Sequence, residues 1–351
     1  MENILTERDR LLLARRFRVK EPQNYPGLTE RIEKGAVPVR ILHDYDETPP
    51  GGQKAGHKPH IRCCFGHPHW HGFVAEFEGG RIGLLGGRCA RRDFGEAVID
   101  AIEGDFNAER DRQFEIQRLL AIRKVLPAAL TELRNLDVRN FDIVWQTLTH
   151  RFGEASRMLA KGVRSSQGRL IAYRKELDRR ATEAAAERAQ PNLFRSTGRA
   201  AVAAQRKYLD AHPVYKDVPV DMGPCDGWRL LIVSERSTPA RLVAEAFDIL
   251  SKADDDKPIE RWGRTDFARL RRSIEDAFAK LDEAAGLVAD LLRLASPANQ
   301  ERIAAWAREC KHEFEIRLPE GYGWPATPAL DALRSASATG EKAQVAAGKQ
   351  P

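Results

Sequence analysis

From residue 267 to residue 291, apolar side chains recur at alternating intervals of three and four: Phe267, Leu270, Ile274, Ala277, Leu281, Ala284, Val288 and Leu291. This spacing is an a/d seam, and it predicts a helix over 264–296 that packs along its length against a second helix. Alanine in alternate layers allows close approach. The partner is either another helix of the same chain, giving a coiled-coil hairpin, or a protein partner, including a second copy. Looser helical patterning predicts further helices over 6–18, 91–104, 105–136, 142–161, 168–190, 196–212 and 238–252. Thr6 and Pro239 supply start signals for two of these, and Pro127 predicts a kink or split in another.

Period-two alternation is rarer. Val37–Tyr45 reads as a strand, and GFVAEF and RIGLLG, joined by EGG within 72–86, read as a hairpin. WRLLIVS (228–234) and FEIRL (314–318) read as isolated short strands. Residues 46–60 have linker composition, and the small polar tail from Ser335 is expected to be disordered. The expected fold is mainly α with a small β-hairpin module (α+β). Its expected segments are 1–56, 57–104, a basic helical region 105–212, a helical region 213–334 and the tail 335–351.

Composition narrows the class without naming a task. The 351 residues can bury a sizeable core without disulfide staples. No run approaches 18 consecutive apolar residues, and MENILTERDRLLLARRFRVK has no apolar core of signal-peptide length. No membrane partner is expected, and the location read from the sequence is cytoplasmic. The alanine and arginine bias fits a bacterium with a GC-rich genome.

Cysteine and histidine change the picture. Residues 57–93 hold five of the nine histidines and three of the five cysteines: His57, His60, His67, His69, His71, Cys63, Cys64 and Cys89. Thiolate sulfur and imidazole nitrogen are the ligands a structural zinc ion prefers, and this clustering fits metal ligation better than a disulfide framework. Cys64 and His67 have the C-x2-H spacing of a zinc knuckle, with Gly66 where the backbone must turn tightly. Cys89 falls at the expected start of a helix, where the dipole favours a thiolate. Knuckle, hairpin, then a ligand at a helix start resembles a treble-clef zinc finger, over about forty residues. The resemblance implies a zinc cofactor in a structural role and a fourth ligand in the first turns of the helix, where this chain offers Asp93. His71 is an alternative fourth ligand, and Cys63 replaces Cys64 if the knuckle shifts by one residue. The competing reading is surface histidines and buried free thiols.

Charge adds a candidate surface. Between Arg151 and Arg180, nine Lys or Arg face three acids, an excess of six that equals the net charge of the whole chain. Arg164, Arg169, Arg174, Lys175, Arg179 and Arg180, with Arg88, Arg91 and Arg92 beside Cys89, are candidate phosphate contacts for DNA or RNA. The bland reading is a solvated helix face. HExxH, HxE…PCxxC, a phosphate-binding loop, a dinucleotide fingerprint and GxSxG are all missing from the sequence. No catalytic residue stands out. The expected function is a non-enzymatic, zinc-stabilised nucleic-acid-binding or adaptor protein. The alternatives are an interaction scaffold using the 267–291 seam and a zinc-dependent hydrolase.

Overall fold

The computed structural model describes residues 5–29, 31–33, 35–50, 56–232, 238–254, 257–318 and 322–348. The chain forms two compact units. One comprises 1–129, 253–272 and 329–351, and the other 130–252 and 273–328. The fold is mainly helical with small antiparallel sheets.

In the first unit, Thr6 caps α1 (Glu7–Ala14) by accepting the Asp9 N–H at 3.1 Å. Three strands, β1 (Pro38–Asp46), β4 (His71–Phe77) and β5 (Ile82–Gly86), form a sheet in the order β1-β4-β5. Between β1 and β4 lies a two-rung hairpin, β2 (Ile61–Arg62) with β3 (Pro68–His69). Alternation along β4 and β5 divides their buried side chains between two clusters. Ala75, Phe77 and Leu85 join Ile32, Cys64, Ala90 and Ile99, while Val74 and Leu84 join Tyr45 and Ile61. β5 runs directly into α2 (Gly87–Phe94), whose C-cap is Gly95, and α3 (Glu96–Asn135) follows. The expected helix therefore starts four residues early and breaks at Gly95 rather than near Gly104. Pro127 does not split α3; Leu126 and Ala129 on either side of it are buried, and that packing carries the helix through.

In the second unit, α4 (Arg139–Gln146) and α5 (Gly153–Ser165) are separated by one π turn over Thr147–Arg151, where a single helix is predicted. The expected helix over 168–190 is instead β6 (Arg169–Leu177) followed by α6 (Arg179–Ala189). β6 pairs with β7 (Tyr215–Pro224) in a register running from Arg169↔Pro224 to Leu177↔Tyr215. The base of this ribbon is held by α11 (Pro297–Glu309): the Trp306 indole donates to the Ile171 carbonyl at 3.2 Å, and Arg174 pairs with Glu309. From Leu177 to Tyr215 the chain makes α6, α7 (Pro191–Arg195) and α8 (Arg199–Ala211), which pack on one another.

WRLLI is a 3-10 segment, Trp228–Ile232, not a strand, and Val233 and Ser234 lie outside the described residues. Residues 314–318 form no ladder; the Ile316 N–H is taken by the Gln300 side chain at 3.2 Å. The tail from Ser335 continues α12 (Pro328–Gly348), anchored by buried Leu330 and Leu333 and rich in alanine, the best helix former. Residues 349–351, like residues 51–55 of the expected linker, lie outside the described residues.

Thr238 caps α9 (Pro239–Ser251), with Pro239 in its first turn. The heptad helix is α10 (Arg264–Leu294), and all eight seam residues are buried within the chain itself. Ile274→Val should therefore lower stability by about 0.5–1.5 kcal/mol in urea unfolding and leave the mass measured by light scattering unchanged. A change in oligomeric state would place the seam at a chain–chain contact.

Candidate metal centre

Pairing of Ile61 with His69 and of Arg62 with Pro68 closes a five-residue turn over 63–67. Three hydrogen bonds fix it. The Cys63 N–H donates to the His67 carbonyl at 3.0 Å, the Gly66 N–H to the Cys63 carbonyl at 2.7 Å, and the Arg62 guanidinium to the Gly66 carbonyl at 3.0 Å. Gly66 has φ +83°, a conformation that suits glycine because it has no Cβ to clash. The turn brings the Cys63 and His67 side chains together. Cys63 Sγ lies 3.7 Å from His67 Nδ1, and the His67 backbone N–H donates to the same sulfur at 3.3 Å.

The third donor comes from the β5–α2 junction. Gly86 is the N-cap of α2, so Cys89 stands in the helix's first turn. Its Sγ, Cys63 Sγ and a His67 ring nitrogen all lie within 4.8 Å of one another. A tetrahedral ion with ligands at about 2.0–2.3 Å spaces its donors roughly 3.3–3.8 Å apart, so the Cys63–His67 separation already matches one edge. The arrangement can hold a metal ion with two sulfurs and one nitrogen.

The knuckle is thus C-x3-H through Cys63. Adjacent residues of the turn point opposite ways, so Cys64 enters the apolar cluster under the sheet, where its N–H donates to the Leu84 carbonyl at 2.8 Å. Cys64 thus packs the apolar cluster and stands outside the group of Cys63, His67 and Cys89, and burial pushes its thiol up to about 12. The Cys89 thiol is also raised, by burial first and by the neighbouring Cys63 second, with Arg92 opposing. In this geometry burial and the Cys63 sulfur outweigh the lowering expected at a helix start; a bound cation would supply the missing positive charge.

The remaining candidates fall around the trio. His69 has both ring nitrogens engaged: Nδ1 with the His67 carbonyl at 3.1 Å and Nε2 with the Tyr45 hydroxyl. Burial lowers its pKa, which favours the neutral ring that can donate at one nitrogen and accept at the other. His69 therefore braces the knuckle from behind. Tyr45, 24 residues away, carries no sequence signal for that role. His71 is exposed at the start of β4, opposite Asp46, and His57 and His60 are exposed outside the trio. Asp93 sits one helical turn beyond Cys89, its carboxylate bonded by the Arg92 guanidinium at 2.7 and 3.0 Å, and its charge acts on Cys89 and Cys64.

Comparison with protein-family models, with curated proteins and with solved structures finds no match. No helix among the described residues is long and apolar enough to cross a membrane.

The cationic candidates divide. Arg91 pairs with Asp100 and Glu103, Arg92 with Asp93, Arg169 with Asp221 and Arg174 with Glu309. Arg88, Arg164, Lys175, Arg179 and Arg180 are exposed and form no ion pair among the described residues. A larger group lies beyond the basic run read from the sequence. α6–α8 carry Arg179, Arg180, Arg188, Arg195, Arg199, Arg206 and Lys207 against Glu183, Glu187 and Asp210. All seven cations are exposed, and none forms an ion pair among the described residues. A count stopping at Arg180 misses five of them. Of the aromatics near basic residues, Trp262 is buried, Tyr208 stacks on His212 with centroids 4.2 Å apart, and Tyr173 is exposed on the ribbon.

Proposed function

We propose that this chain is a non-enzymatic, zinc-stabilised nucleic-acid-binding protein. Two thiols and an imidazole drawn from a knuckle and a helix start are a zinc donor set, and their order along the chain is that of a treble clef. Zinc at Cys63, His67 and Cys89 ties the β2–β3 turn to the start of α2, with Asp93 or a water molecule at the fourth corner. The metal holds the module together and contacts no nucleic acid in this reading.

The observation that carries the nucleic-acid reading is the set of seven exposed cations on α6–α8 that form no ion pair among the described residues. Each phosphate contact from such a surface releases counterions and adds to a salt-dependent affinity that is blind to sequence. Fluorescence anisotropy with labelled single- and double-stranded DNA and RNA tests it. Binding should weaken linearly in log–log form as salt rises. Changing Arg195, Arg199 and Arg206 together to Gln should weaken it at least tenfold and flatten the slope by about 2–3. An absence of binding at about 50 mM salt, or an affinity indifferent to salt, would refute the reading.

A second reading rests on the ligand count. Three protein donors with an open corner is also the pattern of catalytic zinc. Cobalt substitution separates the two. A spectrum that changes in Asp93→Asn but not on addition of small anions supports a closed structural site, and the reverse supports an open one.

A further inference from the structure

Beside α5 lies a cavity of about 480 Å³ lined by Arg157, Ala160, Lys161, Arg164, Ser165, Leu231 and Ile232. It is separate from the metal centre and from the helices α6–α8. The three cations stand at positions i, i+4 and i+7 of one helix, so they share a face within about 10 Å along its axis. All three are exposed. Arg157 donates one N–H to the Gly153 carbonyl at 3.0 Å, which orients its guanidinium, and it forms no ion pair among the described residues. Lys161 and Arg164 form no ion pair among the described residues. Among the described residues no acid lines the cavity; Glu154, one turn earlier on the helix, is the only carboxylate α5 carries. The 3-10 segment contributes an apolar lining through Leu231 and Ile232, and α5 adds Ala160.

These features together define a ligand. One guanidinium suffices for a monocarboxylate, whereas two guanidinium forks and an ammonium around one cavity match a dianion with three acceptor oxygens. A wall of leucine and isoleucine offers nothing to an inorganic ion but can cover a flat or apolar group attached to it. We propose that this cavity is a binding site for an organic phosphate monoester, its phosphate held by Arg157, Lys161 and Arg164 and its apolar or aromatic portion laid against Leu231 and Ile232. The same chemistry can arrive as a free nucleotide or as the 5′-phosphorylated end of a strand. The site rests on its own residues and stands whether or not the cations of α6–α8 bind nucleic acid.

Isothermal titration of the full chain tests the site with five probes: adenosine 5′-monophosphate, adenosine, inorganic phosphate, and a dinucleotide with and without its 5′-phosphate. The expected result is one site per chain for the monophosphate, with adenosine and inorganic phosphate each binding at least tenfold more weakly. Lys161→Gln with Arg164→Gln should lower that affinity at least tenfold, and Arg164→Lys should retain part of it. The Arg195, Arg199 and Arg206 variant should leave it unchanged. A dinucleotide that binds more tightly than the monophosphate, and only when phosphorylated, identifies a strand end as the source. Equal binding of adenosine and its monophosphate, affinity indifferent to Lys161 and Arg164, or no binding by any phosphorylated probe would each overturn the assignment.

Discussion

Cys89→Ser is expected to release the metal and to unfold the knuckle and the start of α2 before the rest of the chain. In isolated zinc modules the ion supplies on the order of 10 kcal/mol of folding free energy. Here the two apolar clusters around the β1-β4-β5 sheet supply part of the stability independently, so the loss should be several kcal/mol rather than the full amount. Thermal unfolding followed by circular dichroism should show a fall of roughly 10 °C or more, reproduced in the parent protein by a strong chelator. Cys64→Ser is the informative control. It places a hydroxyl in an apolar cluster, at a cost of about 1–3 kcal/mol, but should leave chelator sensitivity intact. Equal loss of chelator sensitivity in both variants would mean that Cys64 is a ligand.

Gly227→Ala should give the second large effect, through the backbone. Gly227 has φ +74°, and a Cβ built there would meet the Asp290 carbonyl oxygen of α10 at 2.0 Å and the Leu294 nitrogen at 2.8 Å. The contact is backbone against backbone, so no side chain can swing away. Left-handed geometry costs a non-glycine residue about 1–2 kcal/mol and overpacking a further 1–3, giving roughly 2–5 kcal/mol in urea unfolding. Gly104, with nothing within 4 Å of its added Cβ, should accept alanine without loss. Stability unchanged in Gly227→Ala would show that α10 does not pass this close.

How far the sequence could be read depended on how local each signal was. The 267–291 seam, the Thr6 cap, the Pro239 start signal and the β4–β5 hairpin lie within continuous stretches, and each appears where its pattern places it. β6 falls within 168–190, where the local pattern predicts a helix. Its partner β7 begins 38 residues later, and only that pairing makes it a strand. The metal site shows the same divide. Clustering of cysteine and histidine was visible, and so was the knuckle followed by a helix-start thiol. Choosing between adjacent Cys63 and Cys64 required knowing which of them faces the cluster of Ile32, Phe77 and Leu85, and spacing alone does not carry that. The exposed cations of α6–α8 were obscured for a different reason: whether an arginine is spent on a carboxylate, as Arg169 and Arg174 are, depends on Asp221 and Glu309 far along the chain.

Cys63, His67 and Cys89 are expected to hold one metal ion while Cys64 packs the core. Elemental analysis of the purified chain, repeated with Cys63→Ser and Cys64→Ser, tests it most directly. One zinc per chain in the parent and in Cys64→Ser, with little or none in Cys63→Ser, is the predicted outcome. A parent without bound metal, or metal kept by Cys63→Ser and lost by Cys64→Ser, would contradict it.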